Sequence, residues 1–226
     1  MTVFADPQRL YFFFDYISLN AYLAWHGAPA LAARHGLALT PVPVLFGAML
    51  SHYRQIGPAE LPAKSNWMLR NVLRKARLHG IPLAPPASHP FNPLLPLRVT
   101  CAVDDEATRA RVVERLFRAT WAEGRAVSEP DVVRALLLEL GLPADALLAA
   151  AVAEPAKQRL RDNTDRALAQ GLFGVPTLAA RGELFWGFDD LEYLEMFLGG
   201  RDVLSADRGE LAAWLQVRPS IERRRP

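Results

Sequence analysis

The stretch FFFDYISLNAYLAW, Phe12 to Trp25, decides how the rest of the chain is read. Leu10 to Asp15 is a short, continuous apolar run closed by an acid, the pattern of a strand buried on both faces. From Asn20 to His35 the apolar residues Tyr22, Leu23, Leu31 and Ala32 recur at helical spacing. Asn20 suits an N-cap, Gly36 suits the left-handed residue after a helix end, and Pro29 predicts a kink or break. Ser18 lies between strand and helix, its hydroxyl at the positive end of the helix dipole. Beyond Gly36, Leu37–Leu45 (LALTPVPVL) predicts a second strand, confined by its two prolines to an edge or an irregular course. Strand, crossover helix and parallel strand make one right-handed βαβ unit.

From about Phe46 to Gly171 the pattern becomes helical. PAKSNWMLRNVLRKARLHG carries Trp67, Met68, Val72, Leu73 and Ala76 and stops at Gly80. DDEATRARVVERLFRATWAEG opens with acids and aligns Val112, Val113, Leu116, Phe117 and Trp121. SEPDVVRALLLELG offers Ser128 as N-cap, Pro130 in the first turn and Gly141 after the last. Two further helices are expected over Pro143–Ala153 and Pro155–Gln170. The proline-dense stretch Ile81–Pro96 reads as an ordered loop over a pocket or interface. Strand signals return after Gly171: Thr177–Ala180, a tight turn at Arg181–Gly182, Glu183–Trp186, then a helix from about Asp189. A short helix around Gly209–Val217 precedes a frayed ERRRP tail. The chain therefore divides into an α/β domain from residues 1–45 and 171–226, and a helical insertion over 46–170.

Composition narrows the function. At 226 residues and 51% apolar the chain can bury a full core, and a net charge of +2 gives no global field for nucleic acid or a membrane surface. The single cysteine, Cys101, excludes an internal disulfide or a C-x-x-C pair and fits a reducing compartment. MTVFADPQRL lacks signal-peptide character, and no apolar run reaches the ~20 residues of a membrane span, so a soluble cytoplasmic protein is expected. The five histidines show no metal-ligand spacing, and no metal is expected. Lys64, Arg70, Arg74, Lys75 and Arg77 form a basic helix face, or a local field that guides anions.

A β-α-β / β-β-α order with a proline opening the third strand is the thioredoxin layout. In GVPT, Val175–Pro176 can be an ordinary turn or a cis-proline, and in that layout Val175 and Pro176 share a groove with Ser18. Ser18 has two readings. It caps the helix, or it donates a hydrogen bond to a thiolate brought by a ligand, which the helix end also favours. A serine cannot form a disulfide with that ligand.

Taken together, FFFDYISLNAYLAW, PAKSNWMLRNVLRKARLHGIP, FNPLL, WAEG and GLFGVPTLAARGELFWGFDD resemble the 2-hydroxychromene-2-carboxylate isomerases. These are DsbA-like members of the thioredoxin superfamily, close to kappa-class glutathione transferases, and the resemblance runs from Leu10 to Gly199. It implies a glutathione-dependent isomerase of aromatic-compound degradation, acting as a homodimer on a small aromatic or chromene-like acid. Glutathione would lie with its thiol at Ser18 and its cysteinyl backbone on Val175, ahead of Pro176. Lys64 would meet a carboxylate, Asn92 the substrate, and Asp189 the γ-glutamyl amino group. The same residues also read more plainly: Lys64 as a solvated helix-end lysine, Asn92 as a turn former, Asp189 as an N-cap. The family's Ser-Pro is here Ser18–Leu19, and its Asp-Arg is here Asp189–Asp190, which removes a cationic clamp. The alternatives are a kappa-like transferase or peroxidase, or a non-catalytic thiol-binding protein.

Overall fold

The computed structural model describes residues 4–204, 208–218 and 220. A four-stranded sheet runs in the order β2-β1-β3-β4, with β1 at Arg9–Phe14, β2 at Ala38–Pro43, β3 at Thr177–Ala180 and β4 at Glu183–Trp186. β1 pairs parallel with β2 across the α1 crossover (Leu19–Arg34), and antiparallel with β3, placing Phe12 opposite both Pro41 and Leu178. β3 and β4 form a hairpin over Arg181 (φ 51°) and Gly182 (φ 87°), the paired positive φ values that suit a two-residue turn. The expected α/β thioredoxin-like order is the observed one.

Side chains of β1 alternate between faces. Phe12 and Phe14 enter the larger core with Trp25, Phe117 and Trp121, whereas Phe13 joins Phe4, Val42, Met49, Ala167 and Val175 on the opposite face. Phe12, Phe13 and Phe14 are all fully buried, each contributing roughly 2–3 kcal/mol of apolar burial. Between the strands lie α2 (Phe46–His52), a 3₁₀ turn (Pro58–Glu60), α3 (Pro62–Leu78), α4 (Leu94–Ala102), α5 (Glu106–Trp121), α6 (Pro130–Glu139), α7 (Ala144–Val152) and α8 (Glu154–Ala169). These helices share the sheet's core. Phe117 of α5 sits 5.4 Å from Phe14, 4.9 Å from Tyr16 and 6.2 Å from Tyr22, ring centre to ring centre. α9 (Leu191–Leu198) packs against α1 and β4, and α10 (Arg208–Leu215) follows.

Several sequence expectations change. α1 begins at Leu19, with Ser18 rather than Asn20 as N-cap. It also runs unbroken past the exposed Pro29, because Ala24, Trp25, Ala28, Leu31 and Ala32 are buried on both sides of it. Two helices, α2 and α4, lie where none was expected; Pro96 falls in the first turn of α4, where its missing N–H removes no intrahelical bond. The N-cap of α6 is Glu129, not Ser128. Trp67, among the apolar residues that marked α3 in the sequence, is 63% exposed. The ERRRP tail lies outside the described residues. No helix among the described residues is long and apolar enough to cross a membrane.

Candidate functional site

The four residues between β1 and α1 form a turn whose polar groups are tied down one by one. Asp15 is fully buried; its Oδ1 accepts from Ile17 N (3.1 Å) and its Oδ2 from Phe46 N (3.0 Å), at the start of α2. The Asp15 carbonyl accepts from Ser18 N at 3.1 Å. The next two carbonyls are held by rings from the helical segment: Trp121 Nε1 donates to Tyr16 O (2.9 Å), and His89 Nε2 lies 3.2 Å from Ile17 O. Ser18 Oγ accepts from Ala21 N at 3.2 Å and donates to Val175 O at 3.2 Å. The cap hydroxyl thus meets a carbonyl of the loop that leads into β3, 157 residues further along the chain. Val175–Pro176 is a cis peptide, and the Val175 N–H has no hydrogen-bond partner among the described residues.

This turn forms one wall of a cavity of about 490 Å³ that Ser18, Asn20, Lys64, His89 and Val175 also line. The remaining walls are largely apolar, from Leu50, Ile56, Met68, Phe173 and Trp186. Phe173 and Trp186 pack with their ring centres 5.0 Å apart. Gly174 makes that wall possible, because a Cβ there would lie 2.7 Å from the indole nitrogen of Trp186. Among the described cavity-lining residues, Lys64 on the first turn of α3 is the sole lysine or arginine and makes no ion pair. Asn20 Oδ1 is buried and unpartnered, so a ligand N–H reaching it would satisfy an otherwise costly group. Burial pushes the Asp15 carboxyl up to about 7, against the pull of its backbone N–H donors. An apolar cavity with a few convergent polar groups, a helix N-terminus and a shifted acid has the make-up of a ligand site.

The expected residues are not all brought together. Ser18, Lys64 and Val175 line the cavity, with Pro176 directly behind Val175 and its carbonyl held by Gly187 N at 2.9 Å. Asn92 is not on the wall; its Oδ1 accepts from Leu94 N at 3.0 Å and turns the chain into α4. Asp189 is exposed and paired with Lys75 at 2.7 Å, away from the cavity. Nor does it cap α9, whose N-cap is Asp190, with Oδ2 accepting from Trp186 N at 2.8 Å. Cys101 is buried in α4, and burial pushes its thiol up to about 12, far from a reactive thiolate. Among the described residues no cluster of His, Cys, Asp and Glu could hold a metal ion. Asp15, Asn20 and His89 went unnoticed as wall residues in the sequence. Proximity to Ser18 in the chain was the available signal for Asp15 and Asn20, whereas His89 arrives from a loop 72 residues beyond Ile17.

The DSBA-like thioredoxin domain matches residues 9–199. A 2-hydroxychromene-2-carboxylate isomerase of Pseudomonas putida is 29% identical over 191 residues, covering 83% of this chain and 93% of that protein. Glutathione S-transferase kappa 2 of Caenorhabditis elegans is 27% identical over 177 residues, covering 73% and 77%. A solved structure of a 2-hydroxychromene-2-carboxylate isomerase superposes with a TM-score of 0.79 at 28% identity, covering 88% of this chain and 98% of that one.

Proposed function

The chain belongs to the DSBA-like thioredoxin family, and from that premise we propose that it is a glutathione-dependent isomerase of 2-hydroxychromene-2-carboxylate-type aromatic acids. The observation that carries this reading is the Ser18 hydroxyl, held between the α1 N-terminus and Val175 O in a largely apolar cavity. The cavity suits a tripeptide thiol: an unpaired N–H at Val175, an unpaired acceptor at Asn20 Oδ1, and a cation at Lys64. Glutathione, when bound, supplies a nucleophilic sulfur that adds to the unsaturated ring system and leaves again, permitting rotation about the bond between.

The protein's own part is electrostatic and positional. Val175 offers an N–H and a C=O to an extended peptide backbone. Once that carbonyl has a ligand N–H, the Ser18 hydroxyl is free to turn and donate to sulfur. Ser18 and the helix end then stabilise the anion. Serine does not attack. Lys64 attracts a carboxylate, and the apolar walls exclude water from the aromatic ring. Asn92 and Asp189 have other partners in this geometry, so the reading rests on Ser18, Lys64, Val175 and Pro176. A cytoplasmic homodimer belongs to the same proposal, carried by the resemblance alone.

The test is thermal melting with and without millimolar glutathione, followed by assay of 2-hydroxychromene-2-carboxylate isomerisation. A ligand at ~100 times its dissociation constant adds about 2.7 kcal/mol. No shift and no turnover would end the assignment. The similarity to a kappa-class transferase supports a second reading, transfer of glutathione to other electrophiles, which would leave a stable conjugate instead of returning free glutathione.

A further inference from the structure

We infer that His89 is the proton-transfer group of this cavity, taking the thiol proton onto Nδ1; the inference deepens the glutathione reading and rests on it. A carbonyl oxygen only accepts, so the contact of His89 Nε2 with Ile17 O at 3.2 Å requires the hydrogen on Nε2. In the neutral ring the lone pair is therefore on Nδ1, which makes no hydrogen bond among the described residues. The ring lines the same cavity as Ser18, and its Nε2 bond is to the carbonyl of the residue directly before Ser18. Trp121 holds it edge-on, ring centres 5.5 Å apart, while donating its own Nε1–H to Tyr16 O. His89 is thus fixed in tautomer and in place by the turn that presents the serine hydroxyl.

The other ionisable groups on the cavity wall are less suited. Lys64 is a cation with no lone pair to offer. Glu60 uses Oε1 to accept from Gly57 N at 2.7 Å. Asp15 is fully buried, and each of its oxygens already accepts from a backbone N–H. His89 can change charge without breaking a bond. Nδ1 takes the proton, the electron pair of the S–H bond stays on sulfur, and the imidazolium keeps Nε2–H on Ile17 O. The proton returns to sulfur when the thiol leaves. Ser18 and Lys64 then hold negative charge, and His89 holds the proton.

His89→Gln tests this, because the amide keeps an N–H for Ile17 O but has no titrating lone pair. The readout is the ultraviolet thiolate absorbance of glutathione bound to the full chain, followed against pH beside binding calorimetry. His89→Gln is expected to bind glutathione within about twofold of the unaltered chain. Its thiolate midpoint should rise toward the ~8.5 of a free thiol, lowering the thiolate fraction at neutral pH about tenfold, and kcat should fall about 100-fold. An unchanged midpoint overturns the proposal while leaving glutathione binding intact. A midpoint that moves in Asp15→Asn but not in His89→Gln gives the role to Asp15. Absence of glutathione binding in the unaltered chain fells both readings together. Should the variant fail to fold, ring nitrogen resonances of His89 in the unaltered chain decide. At neutral pH, adding glutathione must protonate Nδ1 and raise the thiolate band over the same range of glutathione concentration. A thiolate band that grows while Nδ1 stays unprotonated refutes the assignment.

Discussion

Replacing Ser18 by alanine removes two hydrogen bonds of known length and, on the functional reading, a third that forms only with ligand bound. The N-cap bond to Ala21 N is worth about 1 kcal/mol, and the bond to Val175 O about 1 kcal/mol more. The sum, about 2 kcal/mol, lowers the melting temperature of a chain this size by roughly 4–8 °C. Against a typical stability of ~5–15 kcal/mol the variant stays folded at 25 °C. Activity is expected to fall further than stability can explain. A hydrogen bond to a charged sulfur contributes about 1.5–3 kcal/mol, so thiolate stabilisation and turnover should drop about 10- to 150-fold at 25 °C. Ser18→Thr keeps the hydroxyl and the cap and should restore most of both. The assay pairs urea unfolding with isomerase kinetics and the thiolate midpoint of bound glutathione. A Ser18→Ala variant that loses the expected stability yet keeps full turnover and an unmoved midpoint would show that Ser18 is a cap and nothing more.

Three further outcomes follow from the site. Asp15 is raised from an ordinary 3.8 to about 7 by burial, so the folded state holds a proton that the unfolded chain has lost. Its contribution to stability is full below about pH 4 and declines toward pH 7, at up to about 1.4 kcal/mol per pH unit. Asp15→Asn should flatten that slope in urea titrations across the window, and an identical slope would refute the assignment. Lys64→Met should raise KM for a carboxylate substrate about three- to tenfold with kcat unchanged, as an exposed pair of ~1 kcal/mol predicts; an unaltered KM removes Lys64 from the site. Gly174→Ala should push the Trp186 indole off the cavity wall and change its fluorescence, measured against Trp186→Phe backgrounds. Trp186 is 52% exposed and free to move, so the cost should stay below about 1 kcal/mol. A fluorescence difference equal to that of the parent would contradict the contact.

What the sequence made legible is what short-range pattern encodes. The Phe12–Phe14 run, the helical spacing from Tyr22 to Ala32 and the Arg181–Gly182 turn each carry their own periodicity or backbone requirement, and each is found in place. Failures occur where tertiary contacts outvote local signals. Pro29 does not break α1 because the segments on both sides of it are buried. α4 was hidden among prolines that a first helical turn tolerates. In the site, Ser18 and Val175 could be anticipated because strand order alone brings them together. Asn92 and Asp189 could not be placed, since whether an acid faces a cavity or a neighbouring lysine depends on side-chain partners; Lys75 took Asp189.

Those long-range partners bear on how a serine can serve a thiol. A hydroxyl donor stabilises an anion only if it is already aimed, since reorienting it during reaction would consume the gain. Here the serine is placed from four distant points of the chain: Phe46 and Trp121 fix the turn on either side, His89 holds the carbonyl before the serine, and Val175 holds the hydroxyl until a ligand N–H takes that carbonyl. The hydroxyl therefore turns at binding and not during reaction. Three of these anchors lie in the helical segment between β2 and β3. That segment therefore does more than roof the cavity. Loosening it at Trp121, which does not itself line the cavity, should blur the position of Ser18. Trp121→Phe keeps the ring in the core but deletes the donor to Tyr16 O, leaving a buried carbonyl unpaired at a cost of about 1–3 kcal/mol. The same change should lower kcat more than it raises KM. An effect on stability alone would mean that the turn keeps its shape without that anchor.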